Sequence, residues 1–324
     1  MTTNAAVSVI IPNWNGRPLL EKNLPALLAV CDSYTASSEV IVVDDGSTDD
    51  SVEWLRQNVP IVRLVERKRN NGFSSTVNEG IRAARYDLVL LLNNDIEADS
   101  DFLTPLARRF SGEADLFAVM SVQRSPQHGG HERLEGATLI TFDRGVFVLR
   151  DITETLEDSA NAGVLVANGG CSLFSRSKLV ALGGFCTLFD PFYCEDTELS
   201  MRAQKRGWRI EVCPNSVVTH RPGTSARKKP ITFYLIPMRN WFLLHWLTID
   251  SAALWRAHTY YLLRTLARRV LAGQPKFPLG LCLALPLLPA VRRERKRRSP
   301  GDARSLEEVL KSSTRTSVYD RCGP

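Results

Sequence analysis

The chain has 324 residues, 44% hydrophobic and 23% charged, which fits a folded protein with a large core and excludes a disordered or collagen-like chain. The net charge of +6 is unevenly spread: residues 1–226 carry 22 Lys and Arg against 29 Asp and Glu, and residues 227–324 carry 19 against 6. An acidic body with a basic C-terminal part points to chemistry in the first and an anionic surface as the partner of the second.

Residues 7–12 read as a buried strand ended by Pro12. A helix is predicted over 19–31 and a second strand over 39–43. Asp44-Asp45-Gly46-Ser47 then turns into a helix, with Ser47 as its N-cap and Asp50 three residues on. A third strand over 61–65, a turn at Asn70-Asn71-Gly72 and a helix over 75–85 follow. Residues 88–92 form a continuous apolar run, as buried parallel strands do. This alternation predicts an α/β fold with an open, mostly parallel sheet flanked by helices.

The pattern weakens after Ser111. Residues 127–131 read as a loop and 137–149 as a hairpin. Small residues from Asn168 lead into an apolar strand, and a short helix over 177–182 is broken by Gly183-Gly184. A helix over 197–206, capped by Gly207, precedes a strand over 209–213. Residues 233–271 read as one long helical stretch, with Arg256, Tyr260, Arg264 and Arg268 along one face. The apolar segment 277–291 contains three prolines and falls short of a membrane span. The basic run 292–298 follows it, and together they predict a two-part anchor on an anionic membrane face.

Three acidic sites punctuate this order. Asp44-Asp45 and Asn93-Asn94-Asp95 each follow a strand, where open α/β sheets bind ligands. The third, Glu195-Asp196, stands at a helix start behind Phe192 and Tyr193.

The sequence VSVIIPNWN from Val7, VVDDGSTD from Val42, NGF from Asn71, LLNND from Leu91, and the stretch from Gly183-Gly184-Phe185 to Glu195-Asp196 resemble family 2 glycosyltransferases over about residues 7–225. The similarity is nearest to the bacterial branch of rhamnosyl- and galactofuranosyl-type enzymes. The resemblance implies the GT-A fold, a nucleotide-sugar donor, a divalent metal (Mg²⁺ or Mn²⁺) and inversion at the anomeric carbon. It divides the chain into a catalytic domain, 1–230, with a donor half (1–110) and an acceptor half (111–230), and a helical, basic, membrane-associating region, 231–324.

On this resemblance Asp45 accepts the N3–H of uracil or thymine in a UDP- or dTDP-sugar, and Asp44 supports the loop or the ribose. Pro12 and Trp14 line the same pocket, and Gly72 places a backbone turn near the donor. Asn93 and Asn94 face the nucleotide sugar; Asn93 stands where the family's D-x-D motif has Asp and, with only a neutral oxygen to offer, contacts ribose or a metal-bound water. Asp95 supplies the metal's carboxylate, and a hard cation takes oxygen ligands and keeps water and phosphate in its shell. His220 closes the metal site or touches the diphosphate, and Arg227, Lys228 and Lys229 are candidates to hold phosphate. Asp196 is the general base toward the acceptor hydroxyl, with Glu195 orienting it or binding a sugar hydroxyl. Phe192 and Tyr193 either stack on a sugar or pack.

The expected acceptor is a glycan or lipid-linked glycan in cell-envelope polysaccharide synthesis. Seven cysteines, odd in number and without a C-x-x-C pair, suit a reducing compartment. No secretory leader is recognisable, so the enzyme is expected in the cytoplasm, peripheral on the inner face of the cell membrane. Two other readings stay open: a non-catalytic sugar-nucleotide or glycan-binding scaffold, and a nucleotidyltransferase, though the Gly-rich basic loop of the latter is missing after the first strand. Nucleic acid is disfavoured, because the basic run lacks interleaved aromatics and the body is acidic.

Overall fold

The computed structural model describes residues 5–126, 131–153, 161–221, 231–298 and 301–314. The N-terminal part alternates as the periodicity predicts: β1 (Val7–Asn13), α1 (Arg17–Ser33), β2 (Ser38–Asp44), α2 (Ser51–Asn58), β3 (Arg63–Glu66), α3 (Phe73–Ala83) and β4 (Leu88–Leu92). β1 pairs in parallel with β2 and β4, and β2 with β3. The apolar runs are continuous because both sheet faces are covered. Val7, Val9 and Ile11 of β1 join Leu20, Leu24 and Leu27 of α1 in one core. Ile10, between them in sequence, joins Val77 and Ile81 of α3 in another, as the two-residue period of a strand requires.

The weaker pattern after Ser111 hides the centre of the sheet. β5 (Ile96–Ala98), α4 (Leu103–Arg109) and β6 (Leu116–Pro126) precede β7 (Glu132–Glu135) and the hairpin β8 (Thr138–Asp143) and β9 (Val146–Asp151). The hairpin turns through Arg144 and Gly145, both at positive φ, as two-residue hairpin loops demand. Then come β10 (Asn161–Ala162), β11 (Val164–Val166), β12 (Cys171–Ser175), α5 (Arg176–Leu182), α6 (Glu195–Lys205) and β13 (Arg209–His220). β12 runs antiparallel between β4 and β6, while β13 is parallel to β6 and antiparallel to β5. The main sheet is therefore mixed, in the order β3-β2-β1-β4-β12-β6-β13-β5, with β7 on β6. β11, β8 and β9 form a second, smaller sheet.

Two local expectations are corrected. Ser47 does not cap a helix: α2 begins at Ser51 behind Asp50, and the Ser47 hydroxyl donates to Asp44 Oδ1 at 2.5 Å instead. The stretch 233–271 is two helices, α7 (Ile231–Thr248) and α8 (Ala252–Leu271). They part where the Ser251 hydroxyl accepts the Leu254 amide and starts a new helix.

After α8 come α9 (Lys276–Ala284), a 3-10 turn (Leu285–Leu287), α10 (Leu288–Arg298), α11 (Leu306–Lys311) and β14 (Ser313–Thr314), which pairs with β10. Phe242, Leu243 and Trp246 of α7 share a core with Phe189, Met201, Phe277 and Val291. The basic run is partly turned inward on α10. Arg295 donates to the carbonyls of Trp246 and Ile249 at 2.7 and 2.6 Å, and Arg298 pairs with buried Glu198 of α6. No described helix is long and apolar enough to cross a membrane.

α3 lies so close to the sheet that a Cβ on Gly80 would meet Ile10 Cγ2 at 2.4 Å and Val43 Cγ2 at 3.2 Å. Ala is the better helix former by about 1 kcal/mol, yet overpacking a filled core costs about 1–3 kcal/mol, and both neighbours are β-branched and stiff. Gly80→Ala is therefore expected to lower stability despite the helix gain. Urea unfolding of the two proteins checks this; a stabilised variant would contradict it.

Candidate active site

The acidic residues after β2 are built into their loops. Asp44, 2% exposed, accepts from Asn13 Nδ2 at 3.0 Å and from the Ser47 amide and hydroxyl. Asn15 closes the same turn, taking the Thr48 and Asp49 amides on Oδ1. Asp45 receives the Asn71 amide on both oxygens at 3.1 Å, the Gly72 amide at 2.9 Å and Arg67 Nε at 3.4 Å. It thus bolts the β2 loop to the turn before α3. Gly46 between these loops has φ +69°, and a Cβ there would lie 2.6 Å from the Arg69 backbone, so only glycine fits. Pro12 sits half-buried within β1, and Trp14, just beyond the strand, is more than half exposed.

The next cluster leans on the first. Asn94 Nδ2 donates to Asn13 Oδ1 at 2.9 Å, which joins the β4 loop to Asp44 through one side chain. The Asn93 amide donates to Gly170 O at 2.9 Å. Asp95 Oδ2 lies 3.5 Å from His220 Nε2, at the end of β13 where His220 pairs with Ile96. Asp95 raises the His220 pKa by hydrogen bond and charge. The other oxygen of Asp95, Oδ1, is buried and has no hydrogen-bond partner.

Glu195 and Asp196 open α6. Tyr193 and Cys194 just before them both have φ +75°, which turns the chain sharply into the helix. Glu195 is buried, and Glu195 Oε2 has no hydrogen-bond partner. Burial, with the charge of Asp196 added, pushes its carboxyl up to about 8. Burial also raises Asp196, opposed by hydrogen bonds from the backbone of Thr197 and Gly169. The loop 168–170 therefore touches Asp196 through Gly169 and Asn93 through Gly170. The three acidic sites, far apart in sequence, are thus linked through Asn13, Asn94 and the loop 168–170.

Sequence reasoning missed the groups that hold the loop before α6. Asn240, fully buried on α7, donates from Nδ2 to the carbonyls of Phe189, Phe192 and Tyr193 at 2.6, 2.8 and 3.0 Å. Arg239 beside it donates to the Asp190 carbonyl at 2.5 Å. Asp190 itself accepts the Ser75 hydroxyl of α3 at 2.5 Å. The available clue was an Arg-Asn pair inside the apolar run 231–248. Phe192 packs on Phe233, with ring centroids 4.6 Å apart. Arg227, Lys228, Lys229 and the end of the His220 segment, 222–225, lie outside the described residues.

The fold is the GT-A fold of nucleotide-sugar transferases. It is shared with GalNAc-T7 solved with UDP, GalNAc and Mn²⁺ (TM-score 0.61, 16% identity, 78% of this chain and 49% of that one). It is shared also with the mannosyltransferase PcManGT of Pyrobaculum calidifontis with GDP-Man and Mn²⁺ (0.54, 21%, 92% and 85%) and with S. aureus TarS 1–349 bound to UDP-GlcNAc (0.54, 19%, 98% and 93%). The chain belongs to glycosyl transferase family 2, whose model matches residues 8–183. Among curated proteins, poly-β-1,6-N-acetyl-D-glucosamine synthase of Staphylococcus aureus is 26% identical over 215 residues, 64% of this chain and 48% of that protein. Undecaprenyl-phosphate 4-deoxy-4-formamido-L-arabinose transferase of Edwardsiella ictaluri is 38% identical over 95 residues, 28% of this chain and 29% of that protein. The chain spans about half the length of the first of these relatives and less of the second.

Two outcomes follow from this geometry. Removing the Asn240 amide strands three carbonyls, and a buried polar group left unpaired costs about 1–3 kcal/mol. Asn240→Ala is expected to lose that much in urea unfolding, and unchanged stability would show that the amide does not hold the loop. Glu195, with its folded pKa raised from 4.5 to about 8, stays protonated in the folded state where the unfolded chain has released its proton. Its stabilising contribution is full below pH 4.5 and is lost as pH rises to about 8, by at most about 1.4 kcal/mol per pH unit. Thermal unfolding between those limits should show this fall in the wild type and a flatter profile in Glu195→Gln. Parallel profiles would contradict it.

Proposed function

We propose that the chain moves a sugar from a UDP- or dTDP-sugar to a hydroxyl of a glycan or lipid-linked glycan, with inversion, as an enzyme of the rhamnosyl- and galactofuranosyl-type branch. The observation that carries this is the contrast among the carboxylates. Each carboxylate oxygen of Asp44 and Asp45 accepts at least one internal donor, whereas Asp95 Oδ1 and Glu195 Oε2 are buried without a hydrogen-bond partner. Buried oxygens left unpaired are costly unless a ligand completes them. Solved neighbours holding UDP, UDP-GlcNAc or GDP-Man support a nucleotide-sugar donor.

Asp45 has room for the base. A carboxylate offers about four acceptor positions, and the Asn71 and Gly72 amides and Arg67 supply three donors. The remaining position suits the N3–H of uracil or thymine. Pro12, Trp14 and Gly72 frame that pocket, while Asp44 shapes its loop. Asn93 and Asn94 bring neutral oxygens and amides toward the sugar and ribose.

Asp95 and His220 fit a divalent cation, since a buried carboxylate oxygen without a hydrogen-bond partner stands beside an imidazole. No group of three or more metal-type side chains occurs among the described residues, so diphosphate and water would complete the shell. Mg²⁺ or Mn²⁺ there supplies charge neutralisation for the leaving diphosphate.

On the opposite side Asp196 removes the acceptor's proton. The hydroxyl oxygen bonds to the anomeric carbon, the bond from that carbon to the diphosphate breaks, and configuration inverts. Near neutral pH the raised Glu195 keeps its proton, which spares the pair a second charge. Burial raises Asp196 as well, and the Thr197 and Gly169 amides oppose that rise and favour its ionised form. Protonated Glu195 then offers its free oxygen to a sugar hydroxyl.

General-base catalysis contributes about 10²–10⁴-fold. Asp196→Asn is expected to lose that much of kcat in Mg²⁺ or Mn²⁺ while keeping the donor's thermal shift. Full transfer by the variant would remove Asp196 as base. Donor binding without turnover by the wild type across a broad acceptor panel would favour a scaffold instead.

A further inference from the structure

The chain holds no acidic residue between Asp250 and Glu294, yet it holds seven Arg and Lys there. α8 and α9 occupy most of this stretch. One side of each packs inward: His258 on α8 and Phe277, Gly280 and Ala284 on α9 are buried. α9 presses on α7 so closely that a Cβ on Gly280 would meet Met238 Cγ at 2.3 Å.

The other side is not that of a water-facing helix pair. Leu263, Val270 and Leu271 of α8 and Leu279 and Leu283 of α9 are exposed, Leu271 to 89%. The turn 272–275 joins the helices, so Val270 and Leu271 end one where Leu279 begins the other. Arg264, Arg268, Arg269 and Lys276 are exposed around this corner. None of these four forms an ion pair among the described residues.

We propose that the α8–α9 corner is the surface by which this protein docks on an anionic lipid bilayer. Its leucines and valine enter the boundary between headgroups and acyl chains, and its cations meet lipid phosphates. The charge pattern selects this occupant. A second copy of the chain would set one acid-free cationic stretch against another. A nucleic acid or acidic glycan would satisfy the cations but would gain nothing from burying Leu271 or Val270. A bilayer satisfies both. With no described helix able to span, the corner lies on the membrane. In the basic run of α10, by contrast, Arg295 and Arg298 are spent inside the protein.

The experiment is flotation of the purified full chain with vesicles of phosphatidylcholine alone or with phosphatidylglycerol added, alongside sedimentation analysis and thermal unfolding. The variants are Leu271→Ser with Leu279→Ser, and Arg264→Ala with Arg268→Ala. All four residues are exposed, so unfolding temperatures should match the wild type. A basic residue near an anionic surface contributes roughly fivefold in binding, so the Arg pair should weaken binding roughly 25-fold. The Leu pair should weaken it also, and neutral vesicles should bind little. Absence of binding, equal binding to both vesicle types, or full binding by the Leu variant would overturn the proposal. So would a dimer that the Leu variant converts to monomer, since the face would then be covered by a second copy.

Discussion

Two adjacent carboxylates at the first turn of α6 set the terms for the structure around them. Taking Glu195 and Asp196 out of water penalises their ionised forms, and their mutual repulsion adds to the penalty. The fold offsets this in part with the helix N-terminus, which favours negative charge, and with amides aimed at Asp196. Such amides help only if the chain enters the helix at a fixed angle. That angle needs two successive residues at positive φ, neither of them glycine, and a loop that cannot relax. Asn240, Arg239 and Ser75 hold the loop from two sides. The first C-terminal helix is thus part of the machinery that positions the carboxylates, and its apolar side merges with Phe189 and Met201 in one core.

The other acidic residues show a division of labour. Asp44 and Asp45 are joints: they fasten the β2 loop to β1 and to the turn before α3. Asp95 and Glu195 each keep one buried oxygen without a hydrogen-bond partner. Loops fastened by their own carboxylates thus stand beside two buried carboxylate oxygens that the fold leaves incomplete.

The legible parts of the sequence were those whose meaning is local. β1, β2 and β4 announce themselves as apolar runs buried on both faces, and the acidic motifs stand at their ends. β6 was missed although Leu116 to Val122 is buried throughout, because a short apolar run has no period to separate strand from helix. Ser47 resembles a helix cap, but Asp44 three residues earlier competes for its hydroxyl. Asn240 could not be read as a clamp, since its three acceptors lie 47 to 51 residues away. In the basic run, which arginines turn inward depends on carbonyls and a glutamate up to 100 residues distant.

That last dependence ties the C-terminal region to α6. Glu198, one turn after Glu195, is almost fully buried and would be untenable alone. Arg202 reaches it at 2.8 Å and also donates to the carbonyls of Leu182 and Gly184 at 2.7 and 2.8 Å. Arg298 of α10 supplies the second cation. The carbonyls bound by Arg202 belong to the break after α5, so the same cluster fixes the route from β12 toward the acidic pair. One side of the basic C-terminal region therefore neutralises a charge within α6, while the α8–α9 corner leaves its cations free. A region rich in arginine divides by partner: where buried carboxylates and carbonyls are within reach the guanidinium groups build the fold, and where none are they remain for a surface outside it.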